Sequence, residues 1–426
     1  MRRALLAIGL LLAGGQALAQ PLTLEQALAS VAAAHPDLRM AEADRAMALA
    51  ERDLAGARGD WNLNLEAGLR QAKPSIGPDS VSDNTLRLSA RKSLYDFGRT
   101  ALAGQAAESI LAAREAALLD TLSRRRLDVM TRFFDVLLAD MQFAADNEYM
   151  AVAYVNLDNA RHRLEVGQTT AADLAEVENG YQDSLMRRNA SLLRQRISRA
   201  QLASAMNRSG QLSADLADPE LAGNDRPLPE YEVLLPLMRA HNPRLAAMRA
   251  QLEGATQRIG AVRADKSPLL DLELEGGGYS REAATRDNVR AGVVLTWPFY
   301  TGRRVDAQMA KEQALFQRLQ AETEKLALEL EQTLLESWLE IGELQRTTRT
   351  AAKKHSDYRD LALERARGQY EVELKTNLGD AMAATMVAKL RERKTEYQLA
   401  LAFSRLEALL GQPMEHVSTE NKGQTQ

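Results

Sequence analysis

The chain contains no cysteine in 426 residues, so disulfides, thiolate nucleophiles and zinc–thiolate sites are excluded together. Aromatic residues make up only 5% of it, too few for the broad cores of two or three ordinary domains. The abundance of Ala, Leu, Glu, Gln and Arg points instead to long helices with thin, coiled-coil-like seams. Proline is missing from 99 to 218 and again from 299 to 412. Beyond the N-terminal segment no apolar run is long enough for a membrane helix, and mean hydropathy is -0.33. If such a chain is exported and enters a membrane, it must do so by strands. Basic residues are not in excess either: the formal charge of -4 argues against a nucleic-acid partner.

The N-terminus supplies the export signal. Arg2 and Arg3 precede an apolar core from Ala4 to Ala13, and Ala17-Leu18-Ala19 stands before Gln20. Residues 1–19 therefore read as a cleaved signal peptide. An uncleaved anchor is the alternative, but the apolar core is shorter than a spanning helix needs. Gln20 rather than cysteine after the cut leaves no acceptor for a lipid.

The remainder of the chain is one unit written twice. Pro36-Asp37-Leu38 and Pro243-Arg244-Leu245 both open helical stretches, and Gly98-Arg99 and Gly302-Arg303 both precede long proline-free runs. The prolines lie 207 positions apart and the glycines 204. The expected organisation is a first repeat over 20–208, a linker over 209–227, a second repeat over 228–412 and a polar tail over 413–426.

Within each repeat the period of the apolar residues changes. Thr23-Leu24-Glu25-Gln26 is a capping-box pattern that starts a helix, interrupted at Pro36 and resumed to about Arg58. Trp61, Leu63, Leu65, Ala67 and Leu69 then alternate with Asn62, Asn64, Glu66 and Arg70. After a turn-rich stretch from Lys73 to Asn84, Leu86, Leu88 and Ala90 alternate with Arg87, Ser89 and Arg91. This predicts a β-hairpin over about 61–95 with one greasy and one charged face. The second copy predicts another over about 269–299, with Leu270, Leu272 and Leu274 against Asp271, Glu273 and Glu275. Val289, Ala291, Val293, Leu295 and Trp297 share its other strand's apolar face.

The proline-free runs carry helical stripes: Leu118, Leu122, Val129, Phe133 and Val136 in the first, Leu330, Leu334, Trp338 and Ile341 in the second. Short breaks near 167–173 and 373–380 fold each run into an antiparallel helical hairpin.

Such strands suit a membrane barrel with a wet interior, but four cannot close one, so subunits must pool them. Two, three or four chains would give eight, twelve or sixteen strands. Every hairpin begins and ends at a helix, so the helices leave from one end of the barrel. Trp61, Tyr95, Phe97, Trp297 and Phe299 gather there, as an interfacial aromatic belt or as ordinary strand-end packing.

This order, with Leu94-Tyr95-Asp96-Phe97-Gly98-Arg99 and its second version Pro298-Phe299-Tyr300-Thr301-Gly302-Arg303, resembles the TolC family of outer-membrane efflux and secretion channels. The tips carry the resemblance too, at Leu164-Glu165-Val166-Gly167-Gln168-Thr169-Thr170-Ala171-Ala172-Asp173 and at Tyr370-Glu371-Val372-Glu373-Leu374-Lys375-Thr376-Asn377-Leu378-Gly379. The likeness implies a mainly α fold with a homotrimeric, twelve-stranded barrel continued by a helical coiled-coil barrel. It further implies a periplasmic adaptor, an inner-membrane pump of the RND or ABC type, outer-membrane lipid around the strands, and no cofactor or catalysis. The family's tip latches fall on Asp173, Tyr370 and Lys375, with turns at Gly167, Thr170, Thr376 and Gly379. Where relatives often carry an acidic ring, the aligned positions hold Gly379 and Met382, and Asp380 stands one place off register. Asp173 and Lys375 also read as a solvated surface pair.

Other clusters are weaker. His35 and His241 lie at the helix breaks with no ligand-spaced partner, and a packing role is expected of them. Gly276-Gly277-Gly278 ends a strand rather than opening a helix, so it eases strand curvature rather than cradling a phosphate. Arg124-Arg125-Arg126 and Arg391-Glu392-Arg393-Lys394 read as solvated helix faces. The competing functional reading is a periplasmic coiled-coil adaptor or scaffold of an export system. Such a protein has no reason to expose Leu63, Leu65, Leu270 and Leu272 opposite charged residues.

Overall fold

The computed structural model describes residues 21–32, 35–73, 80–208, 210, 215–281, 287–372 and 378–414; the expected signal peptide and Lys375 and Thr376 of the second tip lie outside them. In chain order the elements are α1 (Leu24–Ala29), α2 (Pro36–Gly56), β1 (Asn62–Gly68), β2 (Gln71–Ala72), β3 (Val81–Ser82), β4 (Thr85–Tyr95), α3 (Arg99–Glu165) and α4 (Ala171–Ala205). They continue as α5 (Tyr231–His241), α6 (Pro243–Arg263), β5 (Leu269–Tyr279), β6 (Val289–Thr296), α7 (Arg304–Glu343), α8 (Arg349–Glu371) and α9 (Leu378–Leu410).

The local signals act where the sequence puts them. Thr23 Oγ1 accepts from Gln26 N at 3.2 Å, and Gln26 Oε1 accepts from Thr23 N at 3.1 Å, closing the capping box. Asn242 Oδ1 accepts from the amides of Arg244 and Leu245 at 3.0 and 3.1 Å, with Pro243 at the first helical position of α6, where its missing N–H costs nothing. Asn242 and Pro243 are buried at this break, whereas His241 is exposed, so the packing role expected of His241 belongs to its two successors.

The chain divides into two compact units. One comprises 37–121 and 235–332. Its centre is a four-stranded antiparallel sheet in the order β1-β4-β5-β6, so the two hairpins join through β4 and β5. The first hairpin also extends beyond β1 as the small ribbon β2-β3, where a turn was expected from Lys73 onward. That extension is held by Asp83 N donating to Arg70 O at 2.8 Å and Arg70 N donating to Asn84 Oδ1 at 3.1 Å.

The other unit comprises residues up to 36, 122–234 and 333 onward. Val129, Phe133 and Val136 of α3 are fully buried there with Leu202, Met206 and Leu401, as the stripe in the sequence requires. Phe134 stacks on Tyr397 with ring centroids 4.5 Å apart. The Tyr397 hydroxyl donates to Asp218 at 2.7 Å, and burial, reinforced by that carboxylate, pushes its pKa up, so it remains a neutral donor.

Two features depart from expectation. Arg125 is buried rather than solvated: its guanidinium donates to Asp128 at 2.9 Å and to the Ala205 carbonyl near the end of α4, a favourable place for a cation. Arg124 and Arg126 remain more accessible than Arg125. The second long run is also not uniformly α-helical, because Leu344–Thr348 form a π turn between α7 and α8. At that turn Gln345 Nε2 donates to the carbonyls of Asn224 and Arg226 at 3.1 and 2.9 Å, anchoring the linker. Asn224 donates onward to the Glu396 carbonyl and carboxylate at 2.9 and 2.7 Å.

Candidate functional site

The sheet has two chemically opposed faces, because paired strands bring residues in register onto the same side. Leu65 faces Leu88, Ala90 faces Leu274, and Leu272 faces Val293, so the apolar side chains of all four strands form one surface. It is bare: Leu63 and Leu65 are 67% and 69% exposed. The opposite surface is charged. Arg91 bonds Asp271 and lies 3.7 Å from Glu273, while Arg87 lies 3.1 Å from Glu275. Neither outer strand, β1 nor β6, has a neighbour on its far side among the described residues.

The strands hand over to helices through strained turns. Phe97 and Gly98 both take positive φ, at 53° and 84°, as do Gly302 and Arg303 at 61° and 64°. The Gly-Arg pairs of the sequence thus mark left-handed turns that glycine tolerates best. In the first copy Asp96 caps the start of α3, accepting from Gly98 N at 3.1 Å and Thr100 N at 2.7 Å. Burial alone would raise the pKa of its carboxyl, but the bonds from Thr100 and Gly98 and the charge of Arg99 prevail and lower it.

Exposed aromatics collect at this end of the strands. Tyr95 and Phe97 meet edge to face at 4.7 Å, Trp297 and Phe299 at 5.9 Å, and the Lys92 ammonium sits 5.7 Å from the Trp61 ring. Phe299 is 86% exposed, and Tyr300, which sequence reasoning did not single out, is equally bare. The signal for Tyr300 was its place in the second copy of the turn, where Asp96 stands in the first.

The first tip is fully legible. Gly167 takes φ 74°, and its amide and that of Gln168 donate back to the Leu164 and Arg163 carbonyls at 3.0 and 2.8 Å, closing α3 with a glycine C-cap. Thr170 then caps α4. Its hydroxyl accepts from Asp173 N at 3.2 Å, while Asp173 Oδ2 accepts from Thr170 N, the Thr170 hydroxyl and the Thr169 hydroxyl at 3.0, 2.7 and 3.1 Å. The Thr170 hydroxyl foremost, with the Thr170 amide and the Thr169 hydroxyl, holds Asp173 below the usual carboxylate range. Its carboxylate is therefore ionised and engaged within its own helix start.

At the second tip Tyr370 is exposed, Asp380 is exposed in the first turn of α9, and Lys375 and Thr376 fall outside the described residues. Gly379 sits where only a hydrogen fits. A Cβ placed on it would collide with Val152 of α3, so the absence of a side chain lets α9 start against that helix. The position that the resemblance set against an acidic ring is thus a close-approach point here. Among the described residues no group of three His, Asp or Glu side chains could hold a metal, and no helix is long and apolar enough to cross a membrane.

The sheet thus has one bare apolar face, one ion-paired face and open edges, and a long helical run follows each of its strand pairs. The family model described as outer membrane efflux protein matches residues 24–208 and 234–412. The chain belongs to the outer membrane efflux protein family, whose place is the Gram-negative outer membrane. It is 25% identical over 273 residues to Protein CyaE of Bordetella pertussis, an alignment covering 60% of this chain and 54% of that one. The chain thus aligns with about half the length of that curated relative. Its fold is that of the outer membrane protein VceC of Vibrio cholerae, with TM-score 0.72, 17% identity, and coverage of 92% of this chain and 96% of that chain. The CmeC outer membrane channel of Campylobacter jejuni gives TM-score 0.75 at 14% identity, covering 94% and 88%.

Proposed function

We propose that three copies of this chain pool their sheets into one twelve-stranded barrel in the outer membrane, forming the passive exit duct of a tripartite efflux pump or a type I secretion system. The observation that carries this reading is the sheet itself: four strands with unpaired edges and a bare Leu/Val face cannot persist alone in lipid. Its partners in this reading are a periplasmic adaptor and an inner-membrane pump of the RND or ABC type. A soluble adaptor or scaffold would leave the exposed face of β1 and β4 unexplained.

The duplicated halves then have distinct duties. Each of the repeats 20–208 and 228–412 contributes one hairpin to the wall and one helical tip to the gate, and 209–227 bolts them together. Trp61, Tyr95, Phe97, Trp297 and Phe299, with Tyr300, form the belt at the membrane boundary. The tips close through polar links from Asp173 on one subunit to Tyr370 and Lys375 on another, with Asp380 near the constriction. For Asp173 this requires exchanging bonds to Thr169 and Thr170 for an intersubunit partner, a swap of comparable hydrogen bonds.

Planar-bilayer recording tests the gate. Asp173→Ala and Lys375→Ala are each expected to raise single-channel conductance above that of the unmodified channel. Unchanged conductance in both would remove the latch. Recovery of the unmodified protein in the soluble periplasm, rather than in the outer membrane, would remove the duct.

A further inference from the structure

The duplication gives each helix beside the sheet a twin, and the twins differ in what covers them. α2 and α6 correspond at an offset of 207, α3 and α7 at 204. Within one chain α3 and α6 pack directly: a Cβ placed on Gly254 would stand 3.2 Å from the Ala106 carbonyl oxygen and 3.5 Å from Ile110 Cδ1. Ala247 and Gly254 of α6 are buried, as are Ala106 and Ala113 of α3. Their counterparts are not. Met40 and Met47 of α2 are 63% and 59% exposed, and Ala310 and Gln317 of α7 are exposed too. α2 turns another side to α3, where Ala48 is buried and Arg45 bonds Glu115 at 3.0 Å.

The two bare faces complement each other in size and in charge. Where α6 offers Gly254 to Ile110, α2 has Met47 and the equivalent of Ile110 on α7 is Ala314. Met40, Met47 and Leu54 recur every seven residues and make one stripe on α2, and Ala307, Ala314 and Ala321 make one on α7. In the heptad position four places after each stripe, α2 carries Asp37, Asp44 and Glu51, whereas α7 carries Lys311, Arg318 and Lys325. α2 leads into the edge strand β1 and α7 follows the edge strand β6, so the two run in opposite directions. In an antiparallel pair such flanking rows face each other. The equivalent row on α6 is Arg244, Gln251 and Arg258, which the basic row of α7 repels. Asp44 also lies 3.8 Å from Arg114, and Arg318 lies 2.8 Å from Glu322. These are contacts of exposed side chains, weak enough to be shared with a new partner.

We infer that α2 of one copy packs antiparallel on α7 of the next, in the register that α3 and α6 use within one chain, and that the acidic and basic rows select this pairing over the alternatives. This rests on the shared-barrel reading above. The register puts Met47 against Ala314, in place of Gly254 against Ile110. Because helical side chains lean toward the N-terminus of their own helix, it also brings Asp44 to Arg318 and Glu51 to Lys311. The α3–α6 pair has no such rows, so the charges mark the seam between copies and not the joint within one.

Because the chain has no cysteine, introduced thiols report without background. In outer membranes, oxidation of Met47→Cys combined with Ala314→Cys is expected to give several-fold more interchain disulfide than Met47→Cys combined with Ala307→Cys or with Ala321→Cys, each displaced by one heptad, about 10 Å. In the purified channel, Glu51→Lys or Lys311→Glu alone should lower the temperature at which the trimer dissociates in detergent, and the two together should restore it. A maximum at a displaced pair overturns the register, and a double variant that fails to recover overturns the charge selection. If lysine cross-linking of the unmodified protein captures trimers while none of the three cysteine pairs joins, α2 and α7 do not meet, and the shared barrel stands without this seam. If it captures no trimer, the shared barrel falls and the seam with it.

Discussion

At the scale of single residues, two carboxylates each hold a helix start, one part-buried and one exposed. Asp96 is part-buried and accepts from two amides, so Asp96→Ala should cost about 1 kcal/mol, the usual loss for an N-cap. Hydrogen exchange in the first turn of α3 is the measurement, with protection falling there and unchanged in α4. Asp173 is exposed, and its effect follows pH. Its folded pKa is depressed, so it stabilises the start of α4 above the ordinary value of 3.8 and loses that contribution as pH falls through the folded pKa. Protection of the Leu174 amide, corrected for intrinsic exchange, should therefore drop at acidic pH. In Asp173→Asn that acid-dependent drop should disappear.

At the scale of elements, the π turn and the start of α9 are where the chain concentrates its unusual chemistry. Asn224 is buried and donates twice to Glu396, so Asn224→Ala should destabilise the linker against α9 by about 1–3 kcal/mol. Thermal unfolding in detergent should show it as a lowered Tm. Gly379→Leu must displace Val152 or lift α9, an overpacking cost of about 1–3 kcal/mol. Hydrogen exchange should rise near 378–383 while the first tip keeps its protection. These elements were unequally legible in the sequence. The alternation of Leu63 and Leu65 with Asn62 and Asn64 is local, as is the Thr23 cap, so the strands and that helix start could be read directly, whereas Thr170 was placed only in a tip turn. The joining of β4 to β5 could not, because it depends on contacts such as Arg91 with Asp271, 180 residues apart. Gly379 looked like a missing acid for the same reason: the Val152 that explains it is far away in sequence. Arg125 looked solvated because its partner is the carbonyl of Ala205 on another helix. The π turn leaves no composition mark in Leu344-Gln345-Arg346-Thr347-Thr348.

At the scale of the whole molecule, the proposed shared barrel makes this chain one protomer among several, with its bare sheet face turned to lipid. The exposed aromatics at the strand ends should matter for membrane placement rather than for folding of the helices. Trp297→Ala combined with Phe299→Ala is expected to reduce the fraction recovered in outer membranes while leaving far-ultraviolet circular dichroism of the purified protein unchanged. The central claim is that one face of β1 and β4 meets lipid and the other meets water. Single cysteines placed in turn at Leu63, Asn64, Leu65, Glu66, Leu86, Arg87, Leu88 and Ser89 read both faces in intact outer membranes. A lipid-soluble thiol reagent should label positions 63, 65, 86 and 88, and a membrane-impermeant one positions 64, 66, 87 and 89. Uniform labelling by the impermeant reagent, with no alternation, would contradict the barrel.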